Sequence, residues 1–167
     1  MRVYRNTQII INQGKSIKNS NEFTIDKWII QHSEFNPNKE QQTKLFQIWL
    51  FPKTRDVEPR YQQITLNKSL QKNNFAQILS PNQDDEGVWI HQDAWFYLSD
   101  FDKSFSKTLS LQKEGNGFYI MNIEGEIEVN GAVLEKRDAI GIWETRELEI
   151  KANTSAKFLV MEIPMIV

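Results

Sequence analysis

Short apolar runs, interrupted by turn signals at close intervals, are the feature that most constrains the fold of this chain. The sharpest turn signal is Asn130-Gly131, which lies between the strand-like runs Glu126–Val129 and Ala132–Leu134. Asn-Gly readily adopts positive φ at both central positions of a two-residue turn, so its position here predicts a β-hairpin. Many short strands with frequent turns are typical of an all-β sandwich or barrel rather than of βαβ units.

Further strand-like runs continue this pattern. We predict strands at Phe46–Phe51, Val88–His91, Trp95–Leu98, Gly117–Ile123, Ala139–Trp143, Leu148–Ile150 and Lys157–Ile163. Phe46–Phe51 is an almost continuous apolar run that ends at Pro52, which is the pattern expected of a buried strand. Gln62–Phe75 contains helix-tolerant residues, but its asparagines disfavour a helix, and no amphipathic helix of three turns is evident.

The first part of the chain differs from the rest in composition. Residues 6–22 are rich in Asn and Gln, and Asn36–Gln42 is a polar linker. We therefore divide the chain into residues 1–42, a short strand-bearing remnant, and residues 43–167, a compact domain. Within the first part, Thr7–Ile11 could add a strand to a sheet edge, either in its own chain or in a partner.

Composition narrows the classes of function. The 167 residues carry a formal net charge of -2 with scattered basic residues, so no basic stripe is available for direct binding of nucleic acid. The apolar runs are far shorter than the roughly 20 residues of a membrane span, and no secretory signal pattern is evident, so we expect a cytoplasmic protein. The lack of cysteine excludes disulfides, thiolate metal sites and cysteine nucleophiles.

The chain has only two histidines, His32 and His91. If His32-Ser33-Glu34 is a strand, its imidazole and carboxylate share a face, because residues two apart in a strand do so. Such a pair is half of a metal site of the type that binds non-haem iron, although these residues alone favour a surface His–Glu pair. His91 and Asp93 repeat the spacing, but their apolar neighbours favour a structural histidine, hydrogen-bonded between strands.

Aromatic residues are numerous, with five tryptophans and ten phenylalanines. A barrel would use them to fill its core and rim, and an apolar cavity for a flat aromatic ligand is the alternative. Gly115-Asn116-Gly117 lacks the further glycine and the helix of a phosphate-binding loop, and no Gly-x-Ser-x-Gly motif occurs. We therefore predict no catalytic residue and no cofactor-binding loop from these motifs.

Four motifs follow one another in a characteristic order. They are His32–Pro37 (HSEFNP), Leu45–Leu50 (LFQIWL), Glu58–Gln63 (EPRYQQ) and Val88–Ala94 (VWIHQDA). Over residues 32–167 this series closely resembles the pirin family. The resemblance implies an all-β, cupin-type double-stranded β-helix barrel, similar to a jelly roll, at residues 43–167. Pirin-like proteins are bicupins, and this chain resembles the end of the N-terminal cupin followed by a complete C-terminal cupin.

The resemblance also implies metal chemistry. Family members bind iron or another divalent metal through three histidines and one glutamate. Some are similar to quercetin 2,3-dioxygenases, which cleave the flavonol ring with oxygen, and others are metal-dependent regulators that bind transcription factors. His32 and Glu34 match one of the histidines and the glutamate, so they are the predicted metal ligands. The family's His-x-His motif has no counterpart in residues 1–31, which contain no histidine.

Two functions follow as expectations. The first is a pirin-like, non-catalytic binding or interaction module without a tightly bound cofactor, because one copy of this chain cannot supply three histidines. The alternative is a metal-dependent dioxygenase, similar to quercetin 2,3-dioxygenase, that uses His32 and Glu34 as ligands. We expect a homodimer, because an incomplete bicupin exposes apolar surface, and a small aromatic ligand or a protein as partner.

Overall fold

The fold is built almost entirely from β-strands. The computed structural model describes residues 8–13, 40, 46–55, 57–58 and 60–165. The strands are β1 (Gln8–Gln13), β2 (Arg60–Thr65), β3 (Ala76–Ser80), β4 (Val88–Trp89), β5 (Trp95–Phe101), β6 (Ser106–Ser110), β7 (Asn116–Glu124), β8 (Ile127–Val129), β9 (Ala132–Leu134), β10 (Ala139–Ile142), β11 (Glu147–Ala152) and β12 (Ala156–Pro164). One 3₁₀ turn, Lys68–Gln71, is the only helical element in this described part of the chain.

Two sheets enclose the core. One has six strands in the order β10-β7-β12-β5-β3-β4, and the other has four in the order β6-β11-β8-β9. Neighbouring strands are antiparallel except for β3 and β4, which are parallel. The last strand, β12, lies between β5 and β7, so strands distant in sequence become neighbours, as in a jelly roll.

Alternation along the strands separates two apolar clusters. Phe158 and Val160 of β12 belong to the core shared by both large sheets, whereas Leu159 and Met161 belong to a second cluster of the same sheet. Successive side chains of a strand point to opposite faces, so this second cluster lies on the outer face of the six-stranded sheet. In the core, Phe101 meets Phe158 edge to face with ring centroids 4.8 Å apart.

The predicted hairpin at Asn130-Gly131 is confirmed. Strands β8 and β9 pair antiparallel around it, and both turn residues have positive φ, 45° at Asn130 and 86° at Gly131. The Asn130 side-chain oxygen also accepts a hydrogen bond of 2.8 Å from the backbone N–H of Glu149. This contact attaches the turn to β11.

Most of the other predicted strands are also confirmed. Six of the seven remaining runs coincide with β4, β5, β7, β10, β11 and β12. Gln62–Phe75 forms part of β2 and the 3₁₀ turn rather than an α-helix, as its asparagines indicate. The sequence did not predict β2, β3 or β6, because polar residues obscure the period of two in these strands.

The prediction of a buried strand at Phe46–Phe51 is wrong. Residues 46–52 lie in no strand, and Trp49 and Phe51 are 76% and 73% exposed. Only Leu50 packs against the outer cluster of the six-stranded sheet. An apolar run becomes a buried strand only where both of its faces meet other residues, and here the sheet covers one face.

The predicted strand near the start of the chain is present as β1. It pairs antiparallel with β2 of the same chain, with Gln8 opposite Thr65 and Gln13 opposite Arg60. Of the two predicted alternatives, the strand therefore joins a sheet of its own chain. The boundary between residues 1–42 and 43–167 lies outside the described residues and stays a prediction.

Candidate functional site

The predicted metal ligands, His32 and Glu34, lie outside the described residues, and their role stays a prediction. Within the described part, no group of three or more His, Cys, Asp or Glu side chains could hold a metal ion. The second predicted pair, His91 and Asp93, has structural contacts instead.

His91 packs where the sequence predicts a structural histidine. Its half-buried ring meets Trp89 edge to face at a centroid distance of 4.9 Å, and its backbone oxygen accepts a hydrogen bond of 2.7 Å from the N–H of Lys53. Arg60 also contacts Trp89, with its guanidinium carbon 3.8 Å from the ring centroid. The cation–π contact with Arg60 and the edge-to-face contact with His91 both stabilise the position of the Trp89 indole.

Asp93 binds two lysines from distant parts of the chain. Lys53 Nζ lies 2.8 Å from Oδ1, and Lys113 Nζ bonds to Oδ2. These hydrogen bonds, with that of Lys113 the stronger, hold the pKa of Asp93 below its ordinary value. Asp93 therefore joins the segments around residues 53 and 113.

Glu162 is a fully buried carboxylate at the end of β12. Its Oε2 accepts a hydrogen bond of 2.8 Å from the N–H of Gln112. Its Oε1 accepts bonds of 2.9 Å from the N–H of Lys113 and 3.0 Å from Nδ2 of Asn116. Burial raises the pKa of Glu162, and the three hydrogen bonds oppose that shift. Both oxygens thus hold the loop that leads into β7.

Tyr97 is the neighbouring polar side chain of the interior. It is 4% exposed, and its hydroxyl has no hydrogen-bond partner within the described residues. Burial, followed by the charge of Glu162, raises the pKa of the phenol above its ordinary value, so it stays neutral at physiological pH. Around this pair the interior is filled by packed side chains such as Trp95, Phe118 and Val160.

A cleft opens at the rim, between the β6–β7 and β10–β11 loops. Its volume is about 670 Å³, and its lining includes Leu111, Glu114, Asn116, Trp143, Arg146 and Met165. The N–H of Leu111 donates to the backbone oxygen of Arg146 at 2.9 Å, and that of Met165 to Gly115 at 3.3 Å. The volume lies within the range of small-molecule sites, roughly 300–1,000 Å³.

The chemistry of the cleft suits a flat polar ring. Trp143 is 60% exposed and presents an indole surface for stacking. The exposed guanidinium of Arg146 has no ion pair or hydrogen bond to any residue that the structure describes. Glu114 and Glu144 also line the cleft, and their carboxylates can accept hydrogen bonds from hydroxyl groups.

The sequence analysis did not single out Glu162, Trp143 or Arg146 as candidate site residues, and the reason differs between Glu162 and the other two. Glu162 had a signal: it stands in the apolar run Phe158–Ile163 on the same strand face as Phe158 and Val160, and an acid at an inward position predicts a buried carboxylate. Arg146 and Trp143 had none, because loops distant in sequence assemble the cleft. Only the pairing of the strands brings these loops together.

Comparison with known proteins identifies the family. The model of the quercetinase C-terminal cupin domain matches residues 77–163, which is more than half of the chain. The chain belongs to the pirin family. The matched segment begins in β3 and ends in β12, so it contains both large sheets and the loops of the cleft.

This pirin-family chain is similar to two curated bacterial proteins. The quercetin 2,3-dioxygenase of Escherichia coli strain K12 is 27% identical over 135 residues, or 81% of this chain and 57% of that protein. The pirin-like protein of Caulobacter vibrioides is 29% identical over 134 residues, with shares of 80% and 57%. The chain therefore spans little more than half the length of these relatives.

A solved structure supports the fold. The crystal structure of the bacterial pirin YhhW from Escherichia coli in complex with nickel(II) matches with a TM-score of 0.63 and 22% identity. The match covers 70% of this chain and 48% of that one. The predicted all-β cupin fold is thus confirmed for the pirin-family chain. The nickel belongs to the pirin structure and places no metal in this chain.

The described residues contain no candidate for a membrane-spanning helix. None of their helical elements is long and apolar enough to cross a bilayer. The cytoplasmic location stays a prediction.

Proposed function

We propose that this pirin-family chain is a non-catalytic cupin module that binds a small aromatic molecule in the rim cleft between the β6–β7 and β10–β11 loops. The observation that carries the proposal is the exposed indole of Trp143, 60% accessible, in one cleft with Arg146. The barrel interior, by contrast, is occupied by packed aromatic and aliphatic side chains. A ligand of this module therefore binds at the rim.

The non-catalytic part of the proposal rests on the use of the acidic side chains. The buried carboxylate of Glu162 accepts three N–H hydrogen bonds, and Asp93 is occupied by two lysines. Both carboxylates are thus engaged by N–H groups or lysines rather than available as metal ligands. The two histidines of the chain are fewer than the three of the family's site.

The ligand class follows from the cleft lining. An aromatic ring stacks on Trp143, a contribution of about 0.5–1.5 kcal/mol beyond its buried area. A phenolate or carboxylate on the ring binds the guanidinium of Arg146, and phenolic hydroxyls donate to Glu114 or Glu144. A hydroxylated aromatic molecule satisfies all three types of contact.

Quercetin, a flat and hydroxylated molecule, is the probe for the test. Titration into the purified chain, followed by calorimetry, is expected to give a saturable binding curve. Trp143→Ala should weaken the affinity by about tenfold, which corresponds to about 1.4 kcal/mol. Trp49→Ala is the matched control, because Trp49 is also exposed but does not line the cleft, and its affinity should be unchanged.

Two outcomes contradict the proposal. Equal loss of affinity in Trp143→Ala and Trp49→Ala, or in neither, removes the cleft as the site. Oxygen uptake with quercetin that disappears in His32→Ala shows catalysis and rejects the non-catalytic module.

The second candidate is a metal-dependent dioxygenase that uses His32 and Glu34 as ligands. The similarity of this chain to the quercetin 2,3-dioxygenase of Escherichia coli, at 27% identity, favours this candidate. Metal analysis after incubation with iron(II) or nickel(II) and removal of free metal provides the test. This candidate requires bound metal that is lost in His32→Ala and Glu34→Gln and retained in the control His91→Ala. A metal-free wild-type chain would reject it.

A further inference from the structure

The segment Phe46–Phe51, called here the aromatic edge segment, concentrates exposed apolar surface. Phe46 is 50% exposed, Ile48 45%, Trp49 76% and Phe51 73%. Isolated exposed apolar residues are common on protein surfaces. Four large ones within six consecutive residues form a patch, and patches of this kind mark interaction sites.

The aromatic edge segment is held in place by the domain. Leu50 packs against the outer cluster of the six-stranded sheet, and Nε2 of Gln92, in the neighbouring loop, donates to the backbone oxygen of Phe51 at 2.9 Å. Two residues later, the N–H of Lys53 donates to the oxygen of His91 at 2.7 Å. A partner therefore meets side chains on an anchored backbone, which lowers the entropic cost of association.

The exposed area is sufficient for the centre of a stable interface. An aromatic side chain offers about 150–250 Å², so the exposed fractions of these four residues amount to roughly 500 Å² of apolar surface on one copy. Each partner of a standard interface buries about 800 Å². The segment thus supplies more than half of that area, and the adjoining sheet edge can supply the remainder. Tryptophan and other aromatic residues frequently carry most of the binding energy of an interface.

Charge favours a second copy as the occupant. Residues 46–52 contain no charged side chain, and the nearest described cation, Lys53, is already paired with Asp93 at 2.8 Å. A two-fold axis places each patch against an identical patch, so a charged patch would repel itself, whereas an uncharged apolar one is self-complementary. Within residues 46–52 themselves, a strongly charged partner would find no counter-charge.

We propose that two copies of this chain associate through the aromatic edge segment, with Trp49 and Phe51 of each copy covered by the other. The association is independent of the rim cleft, because neither Trp49 nor Phe51 lines that cleft. The dimer buries the surface that the sheet leaves uncovered.

Sedimentation equilibrium of the full chain tests the proposal. From about 1 to 100 µM, a range that brackets a micromolar Kd, the mass should rise from 19.7 kDa towards twice that value. The double variant Trp49→Glu/Phe51→Glu should remain monomeric, because it places like charges in the interface. Trp143→Glu is the matched control, since Trp143 is 60% exposed elsewhere, and it should dimerise as the wild type does.

The lack of cysteine allows a second measurement. A single Ile48→Cys substitution should form an intermolecular disulfide under mild oxidation about tenfold faster than Val133→Cys, because association raises the local thiol concentration. Val133 is 55% exposed on β9. A wild-type mass of one chain at every concentration, with equal cross-linking rates, would overturn the proposal and leave the segment to a different protein. Open-ended oligomers would overturn the two-fold arrangement.

Discussion

Phe158 and Phe51 have the same side chain and lie in similar apolar runs, yet Phe158 is fully buried and Phe51 is 73% exposed. Phe158 belongs to β12, which has β5 and β7 as neighbours and the four-stranded sheet across the core. Phe51 belongs to the aromatic edge segment, which meets the domain through Leu50 on one side. The hydrophobicity of a side chain sets how much free energy its burial would contribute. Whether the side chain is buried depends on how many strands and loops surround it.

The largest expected effect comes from truncating each phenylalanine in turn. Phe158→Ala should lower the free energy of unfolding by about 3–5 kcal/mol, because it leaves a cavity in the core. Phe51→Ala should change it by less than about 0.5 kcal/mol. Urea denaturation at a protein concentration where the chain is monomeric measures both. Equal losses would contradict the comparison and show that the edge segment is part of the folding core.

A smaller loss of stability is expected when the buried carboxylate of Glu162 is removed. Glu162→Ala should cost about 2–4 kcal/mol, because it leaves three N–H donors without an acceptor. Glu162→Gln keeps one acceptor oxygen but turns the other into an N–H donor that faces an N–H group, so it should recover only part of the loss. A Glu162→Ala variant as stable as the wild type would mean that water replaces the carboxylate without cost.

The pH dependence of Glu162 has a definite sign. Its pKa is raised above 4.5, so the folded state binds more protons than the unfolded state between 4.5 and the raised value. The stability of the wild type relative to Glu162→Gln should therefore fall as pH rises through that window. Denaturation of the two proteins across this range measures the difference, and an opposite slope would contradict the effect of burial.

The hairpin turn tests whether open space around a glycine is enough for a substitution there to leave stability unchanged. Gly131 has a φ of 86°, and a Cβ there would meet no atom within 4 Å, so backbone strain is the only cost. Gly131→Ala should destabilise by about 1–2 kcal/mol. Gly141→Ala is the control, because a Cβ at position 141 also meets no atom within 4 Å and the backbone there has no positive φ. An unfolded chain with alanine has less backbone entropy to lose on folding than one with glycine, so this variant should be slightly more stable than the wild type. Thermal unfolding of both variants gives the comparison.

The smallest loss of stability is expected from Asp93, a carboxylate that is only partly buried. Asp93→Asn removes two ion pairs whose lysine side chains are about half exposed, 52% and 50%, so the cost at neutral pH should be below about 1 kcal/mol. The pKa of Asp93 lies below 3.8, and its contribution is therefore present above that value and lost as pH falls through the lowered pKa. High salt should also reduce it. A loss that persists in acid would contradict an electrostatic origin.

The sequence predicted the elements whose signals are local. Asn130-Gly131 specified the hairpin because the dipeptide itself favours positive φ, and the short apolar run within Lys157–Ile163 specified β12. It failed where the deciding contacts are distant, as for Phe46–Phe51, whose apolar run does not reveal how many neighbours it has. The candidate cleft was also beyond prediction, since Trp143 and Arg146 meet Leu111 and Asn116 only after β10 and β11 have taken their places in different sheets.

The sequence by itself determined the all-β class, the hairpin, the family and the number of possible metal ligands, with two histidines and no cysteine. Each of these follows from the identity and order of residues. Only the tertiary structure decided which apolar run is buried, which carboxylate holds a loop and where a cleft opens. The physical reason is that burial and hydrogen bonding depend on the groups that surround a side chain, and in an antiparallel β fold those groups come from distant parts of the chain.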